Sequence, residues 1–232
     1  MSGSGAAPGH GQREAGILAI WNDCDRTREA EYERWYRTEH LPERVSVPGF
    51  RFARRYEAIG GGSPRFFTYY EVDTPQVLVS AAYLERSNNP TALTRKIMAE
   101  RTLRNLSRTA CRQTLVMGGL RGAFVLTARW TDGQAFADAG ASARQLGADM
   151  IEAGLAVRAE TWQAVAEGTG TPSVEQSLRE GPDQSIVGAL LIETTRDREL
   201  AEIFGFATAR VDGAIVAGYR LLCSLTRHGS SA

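Results

Sequence analysis

A single lysine, Lys96, stands among the 27 basic residues of this chain; every other cation is arginine. The arginines are spread along the sequence, so they read as base-composition bias in the source genome and not as an arginine-rich binding code. Twenty-seven acidic residues balance them to a net charge of zero, which leaves nothing to attract nucleic acid or an anionic membrane broadly. The three cysteines, Cys24, Cys111 and Cys223, are odd in number and far apart. They fit neither a disulfide framework nor a zinc-ligand spacing, and read as small apolar residues in a reducing cytoplasm, the expected compartment. Of three histidines, His10 and His228 lie in Gly/Ser-rich ends, leaving His40 alone in the body. One histidine cannot build a multi-histidine metal site, so no metal is expected. No run of 18 or more apolar residues occurs, so no membrane-spanning helix is expected. Residues 1–15 lack an apolar stretch and read as a flexible leader, not a secretory signal; residues 228–232 read as a tail. There is no dinucleotide fingerprint after a strand, no Walker loop and no serine nucleophile elbow. Gly60-Gly61-Gly62 falls between two strand-like segments and reads as a hairpin tip, and Gly168-Thr169-Gly170 as loop.

What is present is a regular order of elements. Ile17–Trp21 is a short apolar run suited to a buried strand, and residues 27–40 have helical composition with Tyr32, Trp35 and Tyr36 as the less polar stripe. Residues 50–57 and 65–72 make a hairpin. Thr74-Pro75 opens a helical region that Asn88-Asn89-Pro90 interrupts, and residues 106–116 form a further strand. After Gly118–Arg121 the order repeats: strand 122–130, helix 138–152, strand 155–164, a polar Gly/Pro-containing loop 167–183, strand 186–193, helix 196–207 and strand 216–225. Twofold β-α-β-β-α-β means two ferredoxin-like units, 16–117 and 122–227, in an α+β fold. Each unit exposes an apolar sheet face, and packing the two sheets together gives an intrachain α/β barrel. Strand edges left at the outside would need pairing or covering, which makes a homodimer an expected arrangement.

The most informative stretch is Trp35-Tyr36-Arg37-Thr38-Glu39-His40-Leu41-Pro42, followed by Pro48-Gly49-Phe50 and Arg54-Arg55-Tyr56. Tyr36 and His40 are four apart and share a helix face. Pro42 is expected to end the helix at once, setting the imidazole at a helix C-terminus, which favours its protonated form. This block resembles the dimeric α/β-barrel superfamily and, within it, the EthD-like proteins. The resemblance is specific over 16–116 and only architectural beyond. It implies a tandem fusion with a cleft in the first unit and a degenerate second unit. It also implies a small, often aromatic or polyketide-like molecule bound between sheet and first helix. Members of that superfamily work without a cofactor as isomerases, cyclases, monooxygenases or dehalogenases, while others bind haem, for which His40 would be the only axial ligand. No cofactor is expected here.

The candidate catalytic residues are His40, as general acid or base, and Tyr36 beside it. The candidate substrate contacts are Trp21, Asn22, Trp35, Arg54, Tyr56 and Tyr70. Each has a plainer alternative: His40 as a helix cap, Tyr36, Trp21 and Trp35 as packing, Asn22 as the start of a turn. Arg54 would hold an acidic group or pair with Glu71, and a one-residue slip of register would put Arg55 in its place. Three readings follow. The chain is a cofactor-independent enzyme on a small organic molecule, a non-catalytic metabolite-binding protein, or a structural protein whose cleft is filled by its own side chains.

Overall fold

The computed structural model describes residues 14–227 except Glu180. The expected tail and all of the expected leader but Glu14 and Ala15 lie outside the described residues, as do His10 and His228. Strand β1 (Gly16–Cys24) leads into one unbroken helical run. It comprises a 3-10 turn (Arg26–Arg28), α1 (Glu29–Trp35), a π turn (Tyr36–His40) and α2 (Leu41–Ser46). Pro42 therefore does not end the helix, contrary to the expectation from sequence. The π turn explains why: the Leu41 N–H donates to the Tyr36 carbonyl, five residues back. The ladder has already shifted when the proline, which has no N–H to offer, enters the first turn of α2.

The chain continues through β2 (Phe50–Ala58), β3 (Phe66–Val72), a 3-10 turn (Pro75–Val79), α3 (Ala81–Asn88), α4 (Ala92–Ala99) and β4 (Leu103–Met117). Then come β5 (Phe124–Trp130), α5 (Gly133–Glu152), β6 (Arg158–Ala164), the short α6 (Val174–Ser177), β7 (Gly188–Thr194), α7 (Asp197–Arg210) and β8 (Ile215–Thr226). Helix α5 begins well before Asp138 because the Asp132 side chain caps it, accepting from the Ala135 N–H.

All eight strands close into an antiparallel barrel in the order β1-β3-β2-β8-β5-β7-β6-β4. Two pairings join the halves: β2 with β8 and β4 with β6. Closure leaves no strand edge open, which overturns the expected outer edges and removes that argument for a homodimer. Alternation along each strand sorts side chains into three cores. Outside the barrel, one apolar layer lies under α1–α4, including Leu18, Ile20, Trp35, Tyr36 and Tyr70. A second lies under α5 and α7, including Leu126, Leu146, Ile192 and Ile203. The interior holds Trp21, Tyr56, Phe67, Tyr69, Trp162 and Tyr219. Rings fill it: Trp21 stacks on Phe67 at 4.7 Å and Tyr69 meets Trp162 at 5.2 Å between centroids.

A charged network closes one end of this interior. Glu193 accepts from Arg54 at 2.6 Å, Arg121 at 2.9 Å and the Gly122 N–H at 2.7 Å. Arg121 also reaches Glu160 at 2.6 Å and Glu71 at 3.2 Å. A Cβ on Gly122 would sit 2.2 Å from the Thr194 carbonyl oxygen, so only glycine lets the backbone approach Glu193 this closely. Burial alone would raise the Glu160 carboxyl, but Arg121 and Arg158 outweigh it and hold the group below the usual carboxylate range. Because Glu193 is 1% exposed, removing it leaves two guanidinium groups short of their counter-charge. Glu193→Ala should lower unfolding free energy by about 3–5 kcal/mol, read as a fall in urea midpoint at unchanged slope. A loss below about 1 kcal/mol, the range of exposed pairs, would show that the network is hydrated.

Candidate functional site

Between the barrel wall and the first helical layer lies a narrow slot of about 40 Å³. Its lining includes Trp35, Tyr36 and His40 from the helical run, Tyr70 from β3 and Tyr83 from α3. Arg44 of α2 completes the wall, four residues after His40 on the same run. The Trp35 and His40 rings lie 4.3 Å apart, and Tyr36 meets His40 edge to face at 5.2 Å. Trp35 is pinned by its indole N–H, which donates to Thr94 Oγ1 at 2.9 Å. The segment between β6 and β7 contributes Glu175 and Arg179 to the lining.

Three buried polar atoms of this lining have no hydrogen-bond partner: His40 Nδ1, Tyr70 Oη and Arg44 Nη1. Orphaned groups of this kind are costly in an apolar wall unless something else satisfies them. Arg44 is 2% exposed and pairs through its other nitrogen with Glu175. Arg108 donates to the Gly168 carbonyl at 2.8 Å and Tyr83 Oη at 2.9 Å and, among the described residues, meets no carboxylate. Arg179 is paired with Asp183 at 2.5 Å. The slot is thus positive in excess. Burial, and then the nearby Arg44, Arg55 and Arg179, push His40 well below its ordinary value, so the imidazole is neutral. Sequence reasoning favoured the charged form from a helix end; His40 instead sits inside the helical run, where no terminal carbonyls face it. For the same reason it is not a helix cap. Burial raises Tyr36, and raises Tyr70 well above its ordinary value. Both phenols are protonated at neutral pH.

The structure brings Trp35, Tyr36, His40 and Tyr70 together and sends the other candidates elsewhere. Trp21, Arg54 and Tyr56 point into the barrel, on the opposite side of the sheet from His40. Arg54 pairs with Glu193 and not with Glu71, so it cannot anchor a ligand beside His40. Arg55 is the outward member of that pair, fully buried and paired with Glu33, its guanidinium 3.8 Å from the Tyr36 ring centre. Asn22 begins no turn; it lies in β1, and its Nδ2 donates to Tyr32 Oη at 2.7 Å. Sequence reasoning missed Arg44, Tyr83, Arg108, Glu175 and Arg179. Arg44 carried a usable signal, the same four-residue spacing that links Tyr36 to His40, but it was hidden by the expectation that Pro42 breaks the helix.

A slot of about 40 Å³ is far too small for haem beside His40. Among the described residues no group of three or more His, Cys, Asp or Glu is arranged to hold a metal ion. In the layer under α5 and α7, Ala128, Trp130, Leu190 and Leu200 pack together, and a Cβ on Gly188 would fall within 2.2–2.6 Å of the Phe136 ring. Burial pushes the Cys24 thiol up to about 11 and Cys111 to about 12, so neither is a thiolate at neutral pH.

No family model and no curated protein sequence matches the chain. Solved structures do. An anthrone oxidase-like protein superposes over 96% of this chain and 97% of its own, with a TM-score of 0.58 at 9% identity. A protein from Fusobacterium nucleatum subsp. nucleatum, named for a suggested monooxygenase activity, superposes over 94% of this chain and 96% of its own, with a TM-score of 0.57 at 6% identity. Identities this low establish the fold, a closed antiparallel barrel flanked by helices, and nothing finer.

The neutral state of His40 has a direct consequence. Below about pH 6.5 an unfolded histidine takes up a proton that folded His40 refuses, so the unfolded state binds more protons and stability falls as pH drops. Between about pH 7.5 and 5.5 the wild type should lose about 1 kcal/mol more than His40→Gln, read from urea midpoints at both pH values. Parallel losses in the two proteins would mean that His40 is charged in the fold.

Proposed function

We propose that the chain is an EthD-like member of the dimeric α/β-barrel superfamily, a tandem of two ferredoxin-like units (16–117 and 122–227) that binds a small aromatic or polyketide-like molecule between the first helical run and the barrel. The observation that carries this reading is the convergence of His40 Nδ1, Tyr70 Oη and Arg44 Nη1, all buried and unpartnered, on one aromatic-walled slot. Built for structure alone, such a wall would satisfy these atoms or replace them with apolar groups.

The three groups are complementary for moving a proton next to a carbonyl. Neutral His40 accepts the proton from an acidic C–H through Nδ1. The electron pair of that bond moves to the carbonyl oxygen, giving an enolate held by the Arg44 guanidinium and the Tyr70 hydroxyl. The imidazolium then returns the proton to another position, which completes isomerisation or permits ring closure. Tyr36 serves as a wall, meeting the His40 ring edge to face. Arg44 thus takes the anchoring role that the sequence suggested for Arg54. Cofactor-independent monooxygenase chemistry also begins with a deprotonated substrate and would use the same three groups.

A second reading, the structural protein with a filled cleft, is favoured by one observation: about 40 Å³ holds little more than a water molecule. Ligand sites usually measure about 300–1,000 Å³. Thermal unfolding of wild type and His40→Ala with aromatic acids, quinones and polyketide-like lactones separates the two. A ligand at about a hundred times its Kd stabilises the protein by about 2.7 kcal/mol. The expected result is a compound that raises the wild-type midpoint and not that of His40→Ala. No shift by any compound, with His40→Ala destabilised on its own, would leave the structural reading standing.

A further inference from the structure

Glu175 occupies a singular position. Among the described residues it is the only carboxylate in the slot lining, and it belongs not to the helical run or the barrel but to the segment between β6 and β7. Val165 and Leu178 pack on the first apolar layer, and between them only Gly168 and Glu175 are buried, so few apolar contacts fasten the stretch between those two ends. It is held mainly by polar bonds: Arg108 to the Gly168 carbonyl, Thr169 Oγ1 with the Ala110 N–H at 2.9 Å, and the Val174 N–H to Asn88 Oδ1 at 3.1 Å. Gly168 is in the left-handed region, and a Cβ there would lie 2.8 Å from Leu78 Cβ, which fixes where the segment touches the first layer. Any organic ligand is larger than the slot, so entry requires this segment to move, and moving it takes Glu175 away from Arg44.

We infer that Glu175 is a built-in stand-in for the acidic group of the ligand: a carboxylate, phenolate or enolate on an aromatic molecule displaces it from Arg44 and moves its segment aside. This rests on the functional reading above and supplies its substrate class. Exchange of one anion for another keeps Arg44 paired throughout, and the released Glu175 regains water. A neutral molecule of the same shape must either fit beside Glu175, where there is no room, or leave a guanidinium buried and uncompensated, which is strongly unfavourable. The unpartnered Arg44 Nη1 offers the incoming anion a second bond that Glu175 does not make. Arg108, which meets no carboxylate among the described residues, adds to the preference for negative charge.

Chemical rescue tests this. Glu175→Gln keeps the side-chain shape and removes the charge, and its thermal midpoint should fall. Benzoate should restore that midpoint by about 3 °C or more, at concentrations about tenfold lower than those that act on wild type. Benzamide, the neutral isostere, should not, and Arg44→Met/Glu175→Met should respond to neither. If Glu175→Gln does not fold, Glu175→Asp keeps the charge with a shorter reach and should likewise respond to benzoate at lower concentration than wild type. In wild type, saturating benzoate should speed hydrogen exchange at the Ser177 and Leu178 amides, which close α6 onto Ser173 and Val174. Benzoate that binds wild type while slowing or not changing exchange there would overturn the inference. So would equal rescue by benzamide, or no response of either Glu175 variant. Such a failure, with ligands from the wider panel still binding at His40, would remove the displaced counter-ion alone. Rescue without any panel binding would instead leave an anion site at Arg44 and remove the proposed function.

Discussion

The closing of the barrel is the constraint on which the rest of the molecule depends. Pairing β2 with β8 and β4 with β6 leaves no strand edge and turns eight inner faces toward one another. Trp21, Phe67, Tyr69 and Trp162 then fill that space, and the Arg54–Glu193–Arg121 network closes one end. With the interior taken, an enclosed site has to lie outside it, and the slot beneath the first helices is one such place. The α5 and α7 layer is apolar and tightly packed. Polar atoms without partners, crowded around a slot, occur under the first helical run. Closure thereby keeps the candidate site out of the interior.

The helical run shows how a local irregularity serves that location. A proline in a uniform helix loses a hydrogen bond and collides with the carbonyl four residues before it. Here the π turn absorbs the disturbance before Pro42 arrives, and the helix carries on to Ser46. Both His40 and Arg44 therefore line one slot, a neutral acceptor and a permanent cation on a single element. Burial first, and then the same cation, keep His40 neutral.

Much of this was legible in the sequence. Strand alternation and the Asn88-Asn89-Pro90 break marked the elements, and the Trp35–Pro42 block marked the place where Trp35, Tyr36, His40 and Tyr70 meet. What was hidden was hidden for physical reasons. Strand register is set by pairing partners, and β2 carries a bulge near Phe50 and Phe52, so which of Arg54 and Arg55 faced the helices could not be read locally. Arginines spread through the sequence looked like composition bias, yet folding gathers Arg44, Arg108 and Arg179 around one slot. Glu175 had no local signal at all. It stands in a polar segment whose only recognisable character was that of a loop, and its partner is 131 residues away.

Two buried arginine–glutamate pairs, Arg54–Glu193 and Arg44–Glu175, have the same chemistry and opposite character. Glu193 bonds Arg54, Arg121 and the Gly122 N–H, and it stands on a strand hydrogen-bonded on both sides. Such a charge is satisfied and immobile, which suits closing a barrel end. Glu175 bonds Arg44 alone, stands on a four-residue helix in a weakly fastened segment, and leaves Arg44 Nη1 unpartnered. A buried pair adds little net stability over apolar packing of the same volume. Its retention in the lining of a positive, aromatic-walled slot therefore needs a reason other than stability. The reason consistent with its geometry is exchange: a carboxylate held by one partner on a movable support can yield its place to another anion, and the Glu193 carboxylate cannot.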